Sequence, residues 1–296
     1  MSEILEHRID FKVVVAATGA NPNGDPLNGN RPRQTSDGFG EISDVAIKRK
    51  IRNRLQDLNY KVFVQSADRA DDEAKSLKDR AEGNEALKKT MDTGNNEGFA
   101  QLANETWIDV RSFGQVFAFK GKGKGKNKNK GISVGVRGPV SITRARSIAP
   151  IAINDMQITK SVNSETTDGK GSDTMGMKYS VDFAVYEFSG SINVQLAEKT
   201  GFTDEDAKAI HKALETLFDN DESSARPAGS MEVLRVYWWE QDGKLGKVSP
   251  AKIFRTVKVT PKEGKFDVRN FDDVDFATAD QLATKIEGAK CNIYQG

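Results

Sequence analysis

Apolar runs and polar stretches alternate along the chain and predict its first elements. Residues 9–18, IDFKVVVAAT, are mostly apolar and β-branched and end at Gly19, which predicts a buried strand. A polar stretch rich in Gly, Asn and Pro follows at residues 19–33, inside a loop predicted to run to about residue 41. Connections between elements are usually about 2–6 residues long, so a loop of this length indicates either function or disorder.

An amphipathic helix is predicted directly after this loop. Ser43 is placed as its N-cap, and Ile42 and Ile47 can form a hydrophobic staple. The apolar stripe of the helix consists of Ile47, Ile51, Leu55 and Leu58. Lys48, Arg49 and Arg52 fall together on one flank of that stripe. This basic flank is either a solvated face or, given the polar loop before it, part of a binding surface.

The middle of the chain combines a charged insertion with strand-like segments. Residues 66–99 are charged and poor in bulky apolar side chains, which predicts helical pieces around an exposed insertion. Residues 107–119 are predicted to return to strand, and 131–148 alternate as a half-exposed strand does. Between them, KGKGKGKNKNKG at residues 120–131 predicts a mobile basic loop, either a solubilising hairpin tip or a nucleic-acid contact.

The second half predicts a long hairpin, a helix and a strand. Two β-rich pieces, 149–163 and 178–196, flank a Gly-rich tip. Residues 202–218 form the clearest helix, with Thr203 and Asp206 placed as a capping box and His211 beside the apolar stripe as a packing residue. Residues 231–240 predict a strand that directs Trp238 and Trp239 to opposite faces.

The order of the strongest elements is strand, helix, strands, insertion, strand, helix, strand. This βαββαβ order predicts an α+β fold with a ferredoxin-like, RRM-like core, the plan of a common RNA-binding module, enlarged by insertions. The alternative, a doubly wound parallel sheet, requires more helices than the pattern predicts.

Charge is unevenly distributed although the formal net charge is only +1. No acid occurs between Asp109 and Asp155, whereas the interval holds six lysines from Lys120 to Lys130 and several arginines. Such a chain can offer one surface to a polyanion and keep the remainder neutral enough to pack against protein.

Several kinds of chemistry are disfavoured by the residues present. The single cysteine, Cys291, has no nearby histidine, and His7 and His211 are the only histidines, so we expect no structural zinc, no metal site and no cofactor. Gly19 and Gly24 have P-loop spacing, but Asp25 stands where the lysine is required. No secretory or membrane-spanning segment is predicted, so a cytoplasmic location without membrane partners is expected.

Binding is the activity that remains. Asn21, Asn23, Asn28 and Asn30 can reach phosphate or sugar, which suits recognition of a nucleic-acid backbone. Met156, Met175 and Met177 lie near the ends of the hairpin extension, where they are either apolar wedges against bases or simple packing residues.

Five segments together resemble the repeated backbone subunit of type I CRISPR Cascade complexes, and most closely its type I-C branch. They are NPNGDPLNGNRPR, ISDVAIKRKIRN, VRGPVSI, ITKSVN and LAEKTGFTDEDAKAIHKALETLF. The resemblance implies a non-catalytic protein that polymerises along a CRISPR guide RNA (crRNA) and presents the guide to target DNA in antiviral defence. Its implied partners are crRNA, target DNA, head-to-tail copies of itself and other Cascade subunits.

The resemblance also implies a division of the chain and a set of contacts. Residues 1–296 are expected to form a single RRM-like palm, with a fingers-type insertion at about 60–105 and a thumb hairpin at about 150–180. The RNA-contact candidates are Asn21, Asn23, Asn28, Arg31, Arg33, Lys48, Arg49, Arg52, Arg144, Arg146, Lys160, Met175, Met177 and Arg226. The DNA-contact candidates are Lys122, Lys124, Lys126 and Lys128.

Three alternative functions stay open at this point. In related type III complexes the equivalent subunit cuts RNA with an acidic loop residue and a divalent metal, a role for which Asp25 or Asp37 is available here. A monomeric RRM-type RNA-binding protein would keep one small mass with or without RNA. A purely structural scaffold would have no salt-dependent affinity for RNA.

Overall fold

A large antiparallel sheet with helices on both faces organises the chain. The computed structural model describes residues 3–121, 130–159 and 175–296. The helices are α1 Asp44–Asp57, α2 Leu77–Glu82, α3 Glu85–Thr93, α4 Asn96–Thr106, α5 Ile108–Phe113, α6 Val194–Thr200, α7 Asp204–Glu215, α8 Pro250–Thr256 and α9 Phe276–Ala283. The strands are β1 Ile9–Ala20, β2 Gly24–Asp25, β3 Arg31–Pro32, β4 Phe39–Ile42, β5 Gln115–Lys120, β6 Gly131–Val136, β7 Val140–Ile142, β8 Ala145–Pro150, β9 Ile153–Thr159, β10 Met175–Ile192, β11 Met231–Gln241, β12 Thr260–Pro261, β13 Val274–Asp275 and β14 Ala289–Gln295.

Strand β1 lies at the centre of this sheet. The strand order is β14-β11-β1-β10-β8-β4, and β7 and β9 also pair with β10. Both neighbours of β1 run antiparallel to it, in registers that place Val13 opposite Phe188 of β10 and Val236 of β11. Residues 9–17 are all buried, because helices cover both faces of this strand. The predicted buried strand is therefore confirmed.

The first face of the sheet is covered by α1, α6 and α7. Ile47, Ile51 and Leu55 of α1 join the core on this face together with Ile210 and Leu214 of α7. The Ser43 hydroxyl accepts a hydrogen bond from the Ala46 amide, and Thr203 and Asp206 form the predicted capping box. Both predicted helices and their N-terminal caps are confirmed.

The second face is covered by α8 and α9, which the sequence pattern did not indicate. Ile253 and Val257 from the α8 region pack there with Ala279 and Ala283 of α9. Trp239 joins this layer and Trp238 joins the first, so their predicted opposite orientation is confirmed. Lys12 of β1 is buried beneath α8, where its ammonium contacts the Glu187 carboxylate at 3.1 Å and the carbonyls of Phe254 and Val257.

A third core lies within the insertion that follows α1. Helices α2, α3 and α4 pack against the β5–β6 hairpin around Phe63, Phe99, Trp107 and Phe117. Short helical pieces were predicted for residues 66–99, and helices α2 and α3 confirm them. The apolar cluster extends as far as Val136, well beyond the start of β5.

Two strand predictions in this region were wrong. Residues 108–113 form α5 rather than strand, because Ile108 packs into the sheet core, Val110 packs into the insertion core, and Gly114 ends the helix at φ 79°. Residues 131–148 form β6, β7 and β8 instead of one strand. The break falls at Gly138 and Pro139, after which the chain leaves the β5–β6 hairpin and pairs with β10.

The polar stretch after β1 is ordered. Strands β2 and β3 pair as a small hairpin, and the Asp25 carboxylate accepts a hydrogen bond from the Leu27 amide at its tip. Gly29 and Asn30 adopt positive φ of 58° and 60°, the left-handed conformation that Gly and Asn tolerate best. The long loop therefore gives way to a defined projection between β1 and β4.

Candidate nucleic-acid interface

The β2–β3 hairpin is held against two other predicted contact segments. The Asn23 side-chain oxygen accepts a hydrogen bond from the Ser43 amide at 2.9 Å, which joins the hairpin to the start of α1. The backbone N–H of Asn21 donates to the Ala225 carbonyl at 2.8 Å, which joins the hairpin to the loop that carries Arg226. The structure thus brings together three segments that are far apart in sequence.

The three candidate asparagines differ in what they can contact. The Asn21 side chain donates to the Asn30 carbonyl at 2.6 Å, and the residue is only 7 % exposed, so it shapes the hairpin. Asn23 is half-buried as the link to Ser43, whereas Asn28 is exposed at the tip. Of these three, Asn28 has the side chain that is free to meet a ligand, and Asn30, also considered from the sequence, is exposed beside it.

Arg31 connects the β2–β3 hairpin to the predicted thumb. Its guanidinium lies 3.3 Å from the Asp155 carboxylate of β9 and 5.1 Å from the centre of the Tyr179 ring of β10. Arg33 pairs with Asp25 at 3.4 Å within the hairpin. The polar projection and the base of the β9–β10 arm consequently form one continuous surface.

The β9–β10 arm has two different faces. Directly opposite residues of an antiparallel pair share a face, and the register sets Met175 opposite Thr159, Met177 opposite Gln157 and Tyr179 opposite Asp155. Met175 and Met177 are 67 % and 50 % exposed on this face, which continues to Arg31 through Tyr179. Met156 lies opposite Lys178 and therefore on the other face. The two methionines proposed as RNA contacts share the surface of the β2–β3 hairpin, and Met156 does not.

Arg144 and Arg146 lie beside β4 at the edge of the sheet. Arg144 pairs with Glu41 at 2.8 Å, and Arg146 pairs with Asp37 while its guanidinium lies 4.2 Å from the centre of the Phe39 ring. Their side chains are 62 % and 46 % exposed, so both guanidiniums keep open donors.

The basic flank of α1 has intramolecular partners that the sequence did not reveal. Lys48 pairs with Asp44 at 3.0 Å, and Arg49 donates to the Val64 carbonyl at 2.8 Å. Arg52 donates to the buried Asp109 carboxylate at 2.9 Å, and its side chain is only 13 % exposed. The contacts of Arg49 and Arg52 join α1 to the insertion, whereas the pair of Lys48 lies within the helix. An RNA contact by any of the three stays a prediction.

A buried charged cluster behind Arg226 was missed by the sequence reasoning. Lys50 is 6 % exposed, its ammonium donates to the Asp221 carboxylate, and Arg226 pairs with the same carboxylate at 3.0 Å. Burial lowers the pKa of Lys50 to about 8. The available signal was the position of Lys50, which lies between Ile47 and Ile51 on the apolar side of α1. Arg226 is thereby tethered at the base of its loop.

The buried Lys50 predicts a specific pH dependence of stability. Between about pH 8 and its ordinary pKa of 10.5, the unfolded chain binds more protons at Lys50 than the folded chain, so stability rises with pH. In urea unfolding, the free energy of unfolding of wild type relative to that of Lys50→Met should increase by about 2–4 kcal/mol from pH 7.5 to pH 10. The same comparison with the exposed Lys208→Met should show no gain, and a flat difference for Lys50→Met would contradict the burial of its charge.

The remaining predicted residues divide between described and undescribed regions. Lys160 and the DNA-contact candidates Lys122, Lys124, Lys126 and Lys128 lie outside the described residues. His211 stacks on Trp238 with ring centres 4.4 Å apart, which confirms its packing role, and burial lowers its pKa. Burial in β14 raises the pKa of Cys291 to about 12, which keeps the thiol protonated and unreactive.

The acids considered for metal-dependent cleavage are engaged in local structure. Asp25 caps the turn at Leu27 and pairs with Arg33, and Asp37 accepts a hydrogen bond from Thr35 and pairs with Arg146. Within residues 3–121, 130–159 and 175–296, no three His, Cys, Asp or Glu side chains are grouped to hold a metal ion. None of the helices in these ranges is long and apolar enough to cross a membrane.

The sequence and the fold match a class of proteins from CRISPR systems. The family model described as CRISPR-associated protein Cas7 matches residues 7–279, and the chain belongs to that family. A Cas7 protein of Haloferax volcanii is 26 % identical over 234 residues, which cover 75 % of this chain and 67 % of the relative.

Solved structures agree with this family at the level of the fold. A chain of a "CRISPR RNA-guided surveillance complex, pre-nicking" superposes with a TM-score of 0.51 at 14 % identity, covering 94 % of this chain and 86 % of the other. A chain of a "CRISPR RNA-guided surveillance complex" gives a TM-score of 0.50 at 15 % identity, with coverage of 97 % and 87 %.

Proposed function

We propose that this chain is the guide-RNA-binding backbone subunit of a type I CRISPR surveillance complex, polymerising along crRNA and presenting the guide to target DNA. The observation that carries the proposal is the convergence, in a Cas7-family chain, of the β2–β3 hairpin, the Arg226 loop and the β9–β10 arm. The sequence motifs support the type I-C branch. The further partners proposed are other Cascade subunits and neighbouring copies of the same chain.

A ferredoxin-like core is part of this proposal. The order β11-β1-β10-β8, all antiparallel, corresponds to the 4-1-3-2 order expected of a βαββαβ unit with α1 and α7 as its helices. An RRM reads RNA on an open sheet face, but here α8 and α9 cover the second face. We therefore propose that the guide lies across the projections at the end of the sheet.

The proposed division is a palm with two projections. The palm is the large sheet with its helices, the fingers begin at about residue 60, and the thumb is the arm between about 150 and 180. The separate apolar core of the insertion supports a fingers unit that continues past residue 105 to Val136.

Among the candidate RNA contacts, the exposed ones are favoured. These are Asn28, Arg31, Arg33, Arg144, Arg146, Met175 and Met177. The four arginines of this set suffice for sequence-independent neutralisation of phosphate charge, because the guide reads sequence by base pairing. The two methionines can only make apolar contacts with bases. We propose a non-catalytic role, which the local contacts of Asp25 and Asp37 support.

Light scattering after size exclusion tests this function. The purified protein is measured with repeat-spacer RNAs of increasing length, with magnesium present. Mass that rises in whole-subunit steps with uncut RNA supports the proposal. A single copy at every length points to a monomeric RNA-binding protein, and cleaved RNA that is protected by Asp25→Ala points to a nuclease.

The double variant Arg144→Gln/Arg146→Gln should weaken guide-RNA binding for every guide sequence. Loss of two phosphate contacts should reduce the slope of log affinity against log salt by about 1.4, at about 0.7 per contact on a single strand. Fluorescence anisotropy over a salt series measures this slope. The exposed pair Lys199→Gln/Lys208→Gln is the matched control and should keep the slope of wild type. If both double variants show the same slope, Arg144 and Arg146 do not contact the RNA.

A further inference from the structure

The region of α8 carries a second concentration of positive charge. Between Asp242 and Glu263 the chain has no acid and six cations, Lys244, Lys247, Lys252, Arg255, Lys258 and Lys262, all of them exposed. Lys244 pairs with Glu198 and Lys247 with Asp242. The other four define the α8 basic surface.

The four cations of the α8 basic surface have no close ion-pair partner in the described part of the chain. Among the residues that the structure describes, the side chains of Lys252, Arg255, Lys258 and Lys262 make no hydrogen bond or ion pair.

The arrangement of this segment is linear. Before α8, the Val248 carbonyl accepts a hydrogen bond from the Gln241 side chain, which also donates to Asp10 near the start of β1. After α8, the Val257 carbonyl accepts a hydrogen bond from Lys12. Further along the chain, residues 267–269 line a cavity together with Thr18 near the end of β1. The segment from Val248 to residues 267–269 therefore follows β1 from Asp10 to Thr18, about 26 Å at about 3.3 Å per residue, and the four cations lie within it. Phosphates follow one another at about 3.4 Å along one strand of a duplex, so a row of cations can contact several of them.

A cavity marks one end of the α8 basic surface. It has a volume of about 680 Å³ and is lined by Lys247, Lys252 and Lys285 with the Thr256 hydroxyl, alongside Asp242 and Glu287. Asp242 is already paired with Lys247. The ammonium groups of Lys252 and Lys285 are therefore available there to a phosphate group, whereas the Thr256 hydroxyl already donates to the Lys252 carbonyl at 2.9 Å.

The apolar content of this surface argues against a protein partner. Ile253 and Val257 point into the core, and the exposed large apolar side chains nearest in sequence, Leu245 and Phe266, lie on either side of the four cations and not among them. Protein interfaces usually have a central apolar or aromatic patch, which is missing here. Contacts to phosphates need only Lys and Arg donors.

We infer that the α8 basic surface binds the phosphodiester backbone of a second nucleic-acid strand, without sequence preference. It lies on the face of the sheet opposite α1 and α7. The inference goes beyond the proposed function, because a strand held here is distinct from the guide.

The test uses the protein loaded with its guide RNA. Anisotropy at several salt concentrations measures binding of a labelled 30-nucleotide DNA and of a 30-base-pair duplex, neither complementary to the guide. The combined variant K252Q/R255Q/K258Q/K262Q should bind on the order of 10- to 100-fold more weakly, with a salt slope reduced by about 0.7 per lost contact for the single strand and about 0.9 for the duplex. The more strongly affected probe identifies the kind of strand.

The control variant K88Q/K89Q/K199Q/K208Q removes the same charge from other exposed positions. It should bind both probes as wild type does, and both variants should keep their guide affinity and melting temperature. An equal loss of DNA affinity in the two variants overturns the inference. The inference is also overturned if the K252Q/R255Q/K258Q/K262Q variant binds DNA normally but its copies fail to associate, because the surface would then bind an acidic face of a neighbouring protein. If wild type binds no guide RNA, the proposed function is wrong. DNA binding by the α8 basic surface is then measured with the protein free of RNA.

Discussion

Replacing Asp109 by alanine is expected to destabilise the protein by about 3–5 kcal/mol, the cost of leaving a buried charge without its partner. The Asp109 carboxylate is 1 % exposed and accepts hydrogen bonds from the Phe63 amide at 2.7 Å, the Val64 amide at 3.1 Å and Arg52 at 2.9 Å. The substitution leaves a guanidinium and two amides without an acceptor where the insertion meets α1. Urea unfolding at pH 7 measures the loss.

Two further variants make the Asp109 measurement specific. Asp109→Asn keeps an acceptor of the same shape without the charge, so its cost should lie between those of wild type and Asp109→Ala. The exposed Asp272→Ala is the matched control and should change stability by no more than about 0.5 kcal/mol. Equal costs for Asp109→Ala and Asp272→Ala would show that this carboxylate does not join the insertion to α1.

Lys12→Met should also destabilise the protein by about 3–5 kcal/mol, because the ammonium is the donor that joins α8 to the sheet. It is 2 % exposed and contacts the Glu187 carboxylate and the carbonyls at the end of α8. Methionine fills the space but leaves those carbonyls unpaired. Urea unfolding measures the loss, with the exposed Lys208→Met as control.

A double-mutant cycle separates the ion pair from the carbonyl contacts. Glu187 is 29 % exposed, so Glu187→Gln should cost less than Lys12→Met. The double variant should be more stable than the sum of the two single losses predicts, by about 0.5–3 kcal/mol. Strict additivity would mean that Lys12 acts only through the carbonyls of Phe254 and Val257.

Local signals explain the elements that could be predicted. The caps at Ser43 and Thr203 involve residues only three positions apart, and the opposite faces of Trp238 and Trp239 follow from the period of a strand. By contrast, the residues of α5 favour strand by composition, and only the packing of Ile108 and Val110 into two different cores makes them helical.

The candidate site was predictable in its segments and not in its contacts. The polar stretch, the basic flank of α1 and the hairpin extension are visible as patterns. The partners of Arg49, Arg52 and Arg31 are not, because Val64, Asp109 and Asp155 lie 15, 57 and 124 positions away. The layer formed by α8 and α9 was missed because its helices are short, with 7 and 8 residues.

The continuity of β10 limits how the arm can change in length during evolution or engineering. One strand of 18 residues runs from the centre of the sheet into the arm, so the orientation of each arm residue is fixed by the core. Adding or deleting one residue near Val181 would turn Met175 and Met177 to the opposite face, whereas changes of two residues preserve their direction. Designed insertions into β10 between the core and Met177 should therefore be made in steps of two residues.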